Sequence, residues 1–383
     1  MKASRLLSLP PYLFEELENR YREAVGQGRD VIDLSIGDPD LAPPPSLLST
    51  LTTALERDSH HRYPPQRGDG ALKASIRRYL SRRYQVEPSD DEILVLIGSK
   101  EGLAHLPWAV CNPGDRVIVP DPGYPVYRSA ATFAGCELVT IPLSEADGFL
   151  PDLDSLDSLS DRARLLFLNY PNNPTSASAS ADMLETIVAL SRKHGTIVAN
   201  DAAYADVYTS STPEPVLCAV PGALDSNVIE FFSFSKQFSI TGWRVGFAVG
   251  NKALIDALAH LKANIDSGVF NAIQEAVAAT LDGDGDAYTV EMRKEYGKRR
   301  EAAETLLARH GFHCFPSCAT FYAWVRLPSD RKAMDFAVDV LDKVNVLITP
   351  GVGFGSGGEG YFRIALTQPV EKIKDAIQRL SGL

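Results

Sequence analysis

Val228-Ile229-Glu230-Phe231-Phe232-Ser233-Phe234-Ser235-Lys236-Gln237-Phe238-Ser239-Ile240-Thr241-Gly242-Trp243-Arg244-Val245-Gly246-Phe247-Ala248-Val249 is two apolar runs separated by a polar turn. The runs at 228–234 and 245–249 predict two buried strands. A lysine between buried strands is rarely there for solubility. Lys236 is flanked by Ser233 and Ser235, with Arg244 further along the same turn. A primary amine beside hydroxyls and a guanidinium suits a phosphorylated aldehyde. The amine forms the imine, and Ser233, Ser235 and Arg244 meet the phosphate.

Outward from this turn, strands and helices alternate. Apolar runs at 93–97, 116–119, 137–141, 165–169 and 196–200 predict five more strands, with helical patterns at 72–83, 102–110, 124–133 and 182–194 between several of them. Short apolar strands separated by helices give an α/β fold, a mostly parallel seven-stranded sheet covered on both faces. Ligands gather at the carboxyl ends of such strands. Beyond residue 250 the pattern changes. One helical region spans 252–281, broken at Asp282-Gly283-Asp284-Gly285, and another spans 287–310, followed by strands at 320–327, 346–348 and 362–366. This tail reads as a smaller α+β domain, joined by an N-terminal segment carrying an amphipathic helix over 12–25 and a strand over 31–37. The expected division is 1–45 for the N-terminal arm and part of the small domain, 46–284 for the large ligand-binding domain, and 285–383 for the small C-terminal domain. The Ser/Asp-rich stretch 154–161 reads as a loop.

Composition narrows the class. The 383 residues exceed one compact core, and 45% hydrophobic with 23% charged residues is the balance of a soluble globular protein. A net charge of −11 argues against a nucleic-acid surface. The five cysteines show no disulfide framework and no zinc spacing. No signal peptide and no run of transmembrane length is found, so the expected location is cytoplasmic, with no membrane partner.

Other residues with chemistry follow predicted strand ends. Asp201 follows the 196–200 run, where a carboxylate can pair with a pyridinium nitrogen and keep it protonated; Tyr204, three residues on, can donate to a phenolate oxygen. Asn173 can reach the same oxygen from the turn after 165–169. Gly98-Ser99-Lys100-Glu101-Gly102 opens a helix whose amides and Ser99 hydroxyl suit a phosphate. Tyr124 can stack on a planar ring. Arg363, inside the apolar run Tyr361-Phe362-Arg363-Ile364-Ala365-Leu366, needs an anion, and a substrate carboxylate is the candidate. The spaced glycines at 351–358 open no strand–helix unit and read as a mobile loop beside the site rather than a dinucleotide fingerprint. Asp282-Gly283-Asp284-Gly285-Asp286 lacks the later Gly and Glu of a calcium loop and reads as a helix break, so no metal is expected.

Taken together, Asn173-Pro174-Thr175, Asp201-x-x-Tyr204, Ser233-x-Ser235-Lys236, Arg244 and Arg363 resemble the class I/II aminotransferases, pyridoxal-phosphate enzymes of fold type I. The resemblance runs from Gly37 to Arg363. It implies Lys236 as the Schiff-base lysine and proton carrier, Asp201 on the pyridinium, and Asn173 and Tyr204 on the phenolate oxygen. It also implies Tyr124 stacked on the ring, and Ser99, Lys100, Ser233 and Arg244 around the phosphate. Arg363, helped by Gly37 and Asn173, holds the substrate carboxylate. Tyr63 looks like the residue this family sends to the neighbouring subunit's phosphate, which implies a homodimer with shared active sites. The stretches at 98–102, 264–270 and 348–351 look most like the branch of LL-diaminopimelate, alanine and aspartate aminotransferases. Ser176, Phe232 and Gln237 depart from that branch, which usually has Gly, His and a small hydroxyl residue there. Two readings stay open: transamination between an L-amino acid and a 2-oxo acid, or the same fold diverted to β- or γ-elimination, replacement or cyclisation. A cofactor-binding regulator fits poorly with the acidic charge.

Overall fold

The computed structural model describes residues 3–7, 14–328 and 330–382. Its strands are β1 (Ile32–Asp33), β2 (Ile93–Leu96), β3 (Arg116–Asp121), β4 (Glu137–Pro142), β5 (Leu165–Leu168), β6 (Ile197–Asp201), β7 (Val228–Ser233), β8 (Gly246–Gly250), β9 (Tyr322–Arg326), β10 (Val346–Leu347), β11 (Thr349–Pro350) and β12 (Tyr361–Ala365). β2 to β8 form one seven-stranded sheet in the order β2-β8-β7-β6-β5-β3-β4. All pairs are parallel except those of β8, which runs antiparallel to β2 and β7. The segment 234–245 returns the chain beside β7 with only a four-residue helix, Phe234–Gln237, and one 3₁₀ turn. A parallel return needs a full crossover, so β8 is antiparallel, and Lys236 sits in that return.

Period-two alternation divides each buried strand between two faces. Leu94, Leu96, Leu165 and Phe167 pack with the helices Ser99–Val110, Val126–Phe133 and Lys252–Lys262. On the opposite face, Ile93 and Val95 meet Gly70–Tyr84 and Asn271–Asp282, and Leu166 and Leu168 meet Ala181–His194. Helices on both faces leave the strands' carboxyl ends as the open edge of the layered structure.

A separate antiparallel sheet, β11-β12-β9, packs with the helices Gly285–Arg309, Ala333–Val344 and Val370–Leu380 around Phe321, Phe336, Phe362 and Ile373. β1 pairs in parallel with β10, Ile32 opposite Val346, so the N-terminal segment joins this C-terminal layer.

Three expectations change. The helical region expected over 252–281 is two helices, Lys252–Lys262 and Asn271–Asp282. Between them Asp266 accepts bonds from Lys262 Nζ and the Gly268 amide, and Gly268 takes φ +90°, a turn that a helical reading of polar residues misses. The stretch expected to be a loop at 154–161 is mostly helix, Leu153–Ser160, because Asp152 caps it through the Ser155 amide and Leu156 is buried. The strand expected over 31–37 pairs only at Ile32–Asp33. The N-terminal helix runs Phe14–Gly26, and positions 12 and 13 of the expected helix lie outside the described residues.

Candidate active site

A cavity of about 800 Å³ opens where the carboxyl ends of β5, β6 and β7 face β12. Lys236 is on its wall, donating from Nζ to the Gly37 carbonyl at 2.7 Å. Burial lowers its pKa to about 8; Asp38 opposes this, and the Arg244 and Arg363 charges add to it. The amine therefore keeps a substantial neutral fraction near physiological pH, which an ordinary lysine does not.

Asp201 ends β6. Its Oδ2 accepts from the Tyr127 hydroxyl at 2.9 Å and its Oδ1 from the Ala203 amide at 3.3 Å. Burial raises its pKa to about 6, and the Tyr127 bond pulls it part of the way back. Among the described residues no lysine, arginine or histidine pairs with it, so the carboxylate lacks a cation. Asn169, from the segment after β5, donates to the Asp201 carbonyl at 2.6 Å and accepts the Asn173 amide at 2.8 Å, which fixes the two loops against each other.

Two guanidinium groups on the cavity, that of Arg244 exposed and that of Arg363 buried, show the opposite deficit. Arg244 adopts φ +54° and donates to the Thr241 carbonyl at 2.6 Å and, at 3.5 Å, to Ser235 Oγ. It lies across Gly98, where an added Cβ would stand 2.3 Å from Nη2. Glycine is what lets this guanidinium approach the first turn of Ser99–Val110, with the Ser99, Ser233 and Ser235 hydroxyls on the same cavity. Arg363, 7% exposed, donates to Asn173 Oδ1 at 2.6 Å and the Ser35 carbonyl at 2.8 Å, while its Nε has no partner. Neither arginine has a carboxylate partner among the described residues. For the buried Arg363 guanidinium, the lack of an anion is costly unless a ligand supplies one.

Tyr124 lines the cavity with the Lys100 ammonium 5.7 Å from its ring centre, and Tyr204 meets the Tyr322 hydroxyl at 2.9 Å. Gly37 is also close-packed, since a Cβ there would fall 1.8 Å from the Tyr322 hydroxyl. Thus Gly37, Ser99, Lys100, Tyr124, Asn173, Asp201, Tyr204, Ser233, Ser235, Lys236, Arg244 and Arg363 all converge on one cavity. Tyr63 does not line it and is 85% exposed.

Residues that sequence reasoning passed over complete the wall, Tyr322 and Phe354 on it and Tyr127 buried behind it. Tyr127 holds Asp201, and the Tyr322 and Phe354 rings lie 4.0 and 4.8 Å from the Arg363 guanidinium. Phe354 arrives on the glycine-rich segment 351–358, two 3₁₀ turns tied to Asp121 by Ser356 Oγ at 2.7 Å and the Gly357 amide at 2.9 Å. The one signal for Tyr127 was its helical spacing from Tyr124. Tyr322 carried none beyond its place in a strand.

The departures noted at Ser176 and Phe232 have local explanations. Ser176 takes φ +64°, a conformation suited to glycine, but its hydroxyl bonds Thr320 Oγ1 at 2.6 Å and the Tyr322 carbonyl at 3.0 Å. Phe232 stacks on Phe247 at 4.8 Å. Nothing in the structure explains Gln237.

Residues 29–380 match the aminotransferase class I and II family. The chain is 44% identical to the LL-diaminopimelate aminotransferase of Oleidesulfovibrio alaskensis and 41% identical to that of Aquifex aeolicus, in each case over 100% of this chain and 98% of the relative. Among solved structures, substrate-bound BacF from Bacillus subtilis superposes with a TM-score of 0.94 at 32% identity, covering 100% of this chain and 97% of that one. A probable N-succinyldiaminopimelate aminotransferase from Thermus thermophilus gives 0.90 at 34% identity, covering 97% and 99%. With the lysine, the carboxylate that lacks a cation and the two guanidinium groups that lack carboxylate partners among the described residues gathered on one cavity, these matches agree with the chemistry of the wall, and the chain belongs to the class I and II aminotransferases, a pyridoxal-phosphate-dependent enzyme family.

Proposed function

We propose that this aminotransferase carries an amino group from LL-diaminopimelate to a 2-oxo acid, with Lys236 as the lysine bonded to pyridoxal 5′-phosphate and as the proton carrier. The observation that carries the reading is the charge pattern of the cavity: among the described residues, a buried carboxylate without a cation, and the exposed Arg244 and buried Arg363 guanidinium groups without carboxylate partners, around an amine with pKa about 8. That is the complement of a pyridinium nitrogen, a phosphate and a substrate carboxylate. Ser99, Lys100, Ser233, Ser235 and Arg244 hold the phosphate, Asp201 the ring nitrogen, Asn173 and Tyr204 the phenolic oxygen, and Tyr124 the ring face. When bound, the coenzyme supplies an electron sink for the pair left when the substrate Cα–H bond breaks.

The chain's own groups do the rest. Arg363, with Gly37 and Asn173, would clamp the α-carboxylate and so orient the substrate's Cα–H bond. Lys236 would be the group that bonds the coenzyme aldehyde and, as a free amine, the base that takes and carries the substrate's α-proton, which its depressed pKa makes feasible near neutrality. Asp201 holds a proton on the ring nitrogen throughout. Full-length similarity to relatives named LL-diaminopimelate aminotransferase supports that substrate. Tyr63, exposed on this subunit, enters the partner's site in a homodimer, and the enzyme works in the cytoplasm. The large coenzyme-binding domain spans 46–284, between the N-terminal arm and the small domain of 285–383.

Lys236→Ala abolishes the visible imine absorbance of the holoenzyme and turnover together; a variant that keeps both refutes the role of Lys236. A half-reaction screen of amino acids then reads loss of that absorbance and its return on adding 2-oxo acids. LL-diaminopimelate gives the fastest loss, whereas release of ammonia without an acceptor signals elimination instead.

A further inference from the structure

Tyr322 opens β9 and is 3% exposed. Its hydroxyl lies 2.9 Å from the Tyr204 hydroxyl, and its ring centre 4.0 Å from the Arg363 guanidinium. One side chain thus touches both a residue assigned to the coenzyme and the residue assigned to the substrate carboxylate. Its backbone is fixed as well. The Tyr322 amide donates to Thr320 Oγ1, and its carbonyl accepts from Ser176 Oγ and Arg300 Nη2, all at 3.0 Å. β12 pairs alongside, with Ala365 opposite Tyr322 and Arg363 opposite Trp324, so Arg363 reaches the ring diagonally. The charged and titratable groups facing the hydroxyl are Arg363, Tyr204, Tyr124 and Asp38.

We infer that Tyr322 is a positioning residue with two separable jobs: its hydroxyl aims the Tyr204 hydroxyl at the coenzyme's phenolic oxygen, and its ring face holds Arg363 in line for the substrate carboxylate. The inference rests on the roles proposed above for Tyr204 and Arg363. Either hydroxyl can donate across this contact; with a ligand oxygen accepting the Tyr204 proton, the Tyr322 hydroxyl donates to the Tyr204 oxygen and polarises Tyr204 into a stronger donor. A stronger donor holds more negative charge on the phenolic oxygen, which lowers the pH at which the holoenzyme chromophore loses its proton. The ring acts separately, by cation–π attraction on a planar group that must stay aligned.

Spectrophotometric pH titration of four holoenzymes tests the hydroxyl: wild type, Tyr322→Phe, Tyr204→Phe and the double variant. Tyr322→Phe keeps the ring and its packing, so this half is read on a folded protein. It titrates a few tenths of a pH unit above wild type, with KM for the amino acid within about twofold. The double variant shifts no further than Tyr204→Phe. Tyr322→Leu, which removes the ring face, raises KM by about tenfold. An unmoved titration in Tyr322→Phe while Tyr204→Phe moves, additive shifts in the double variant, or a wild-type KM in Tyr322→Leu each overturns the inference. An unmoved titration in Tyr204→Phe, or an unchanged KM in Arg363→Ala, overturns the underlying reading and this inference with it.

Discussion

Asp201 works against the stability of its own fold. Its carboxyl has a native pKa near 6, raised by burial against the pull of Tyr127, while an unfolded Asp titrates near 3.9. Because the native pKa is the higher, the native state binds more protons between about pH 4 and 6, and stability falls as pH rises through that window. Above it the full penalty of a buried, cation-free carboxylate is present. In coenzyme-stripped protein, Asp201→Asn therefore raises the melting temperature at pH 7–8, by the equivalent of about 1–3 kcal/mol. The gain shrinks on acidification toward pH 4. In the holoenzyme the same change lowers kcat by about a hundredfold or more, because the proton on the ring nitrogen loses its counter-charge. Melting curves across pH, beside kcat, check both signs. A variant melting below its parent at pH 8 contradicts the account. On the role proposed for Asp201, the coenzyme's positive nitrogen would relieve this instability.

The turn between Lys252–Lys262 and Asn271–Asp282 shows how an element is held by one buried cation. Lys262, 1% exposed, donates to Asp266 Oδ1 at 2.7 Å and to Glu101 Oε2 at 3.1 Å. Glu101 also bonds His105 at 2.8 Å and the Ile97 amide at 3.0 Å, so the network ties the turn to the helix that opens at Ser99. Lys262→Met removes the ammonium and leaves two carboxylates facing each other, a loss of about 3 kcal/mol seen as a lower denaturation midpoint at neutral pH. A midpoint equal to the parent's would show that the turn is held otherwise. This turn was illegible in the sequence because Asn264-Ile265-Asp266-Ser267 reads as the wet face of a helix, and its break depends on a glutamate far away in the chain. The seven strands, by contrast, were legible: buried parallel strands such as Leu165-Leu166-Phe167-Leu168 are unbroken apolar runs bounded by turns. The cavity residues were legible for a related reason, since most stand just past a strand end. Tyr127 and Tyr322 were not, because their partners are set by the meeting of loops and sheets rather than by spacing along the chain.

The whole molecule leaves one predicted site residue outside its own cavity. Tyr63 is 85% exposed, and the segment carrying it rests on the same turn, with Pro64 Cγ 3.0 Å from where a Cβ on Gly268 would be. Tyr63, Ile265 and Phe270, all exposed, belong to these two neighbouring segments, which suits a face covered by a second copy. If each active site combines Lys236 of one subunit with Tyr63 of the other, two defective variants repair each other. Lys236→Ala homodimers have no reactive amine, and Tyr63→Ala homodimers bind the phosphate weakly. In a heterodimer the site built on the intact Lys236 receives an intact Tyr63 from the Lys236→Ala subunit, and the second site carries both defects. Random reassortment then restores about a quarter of all sites to wild-type composition, by the two-fold symmetry of the dimer. Turnover at limiting coenzyme, measured after the two variants are mixed, unfolded and refolded together, rises well above the mean of the separate preparations. If activity equals that mean although heterodimers form, Tyr63 serves its own subunit or none.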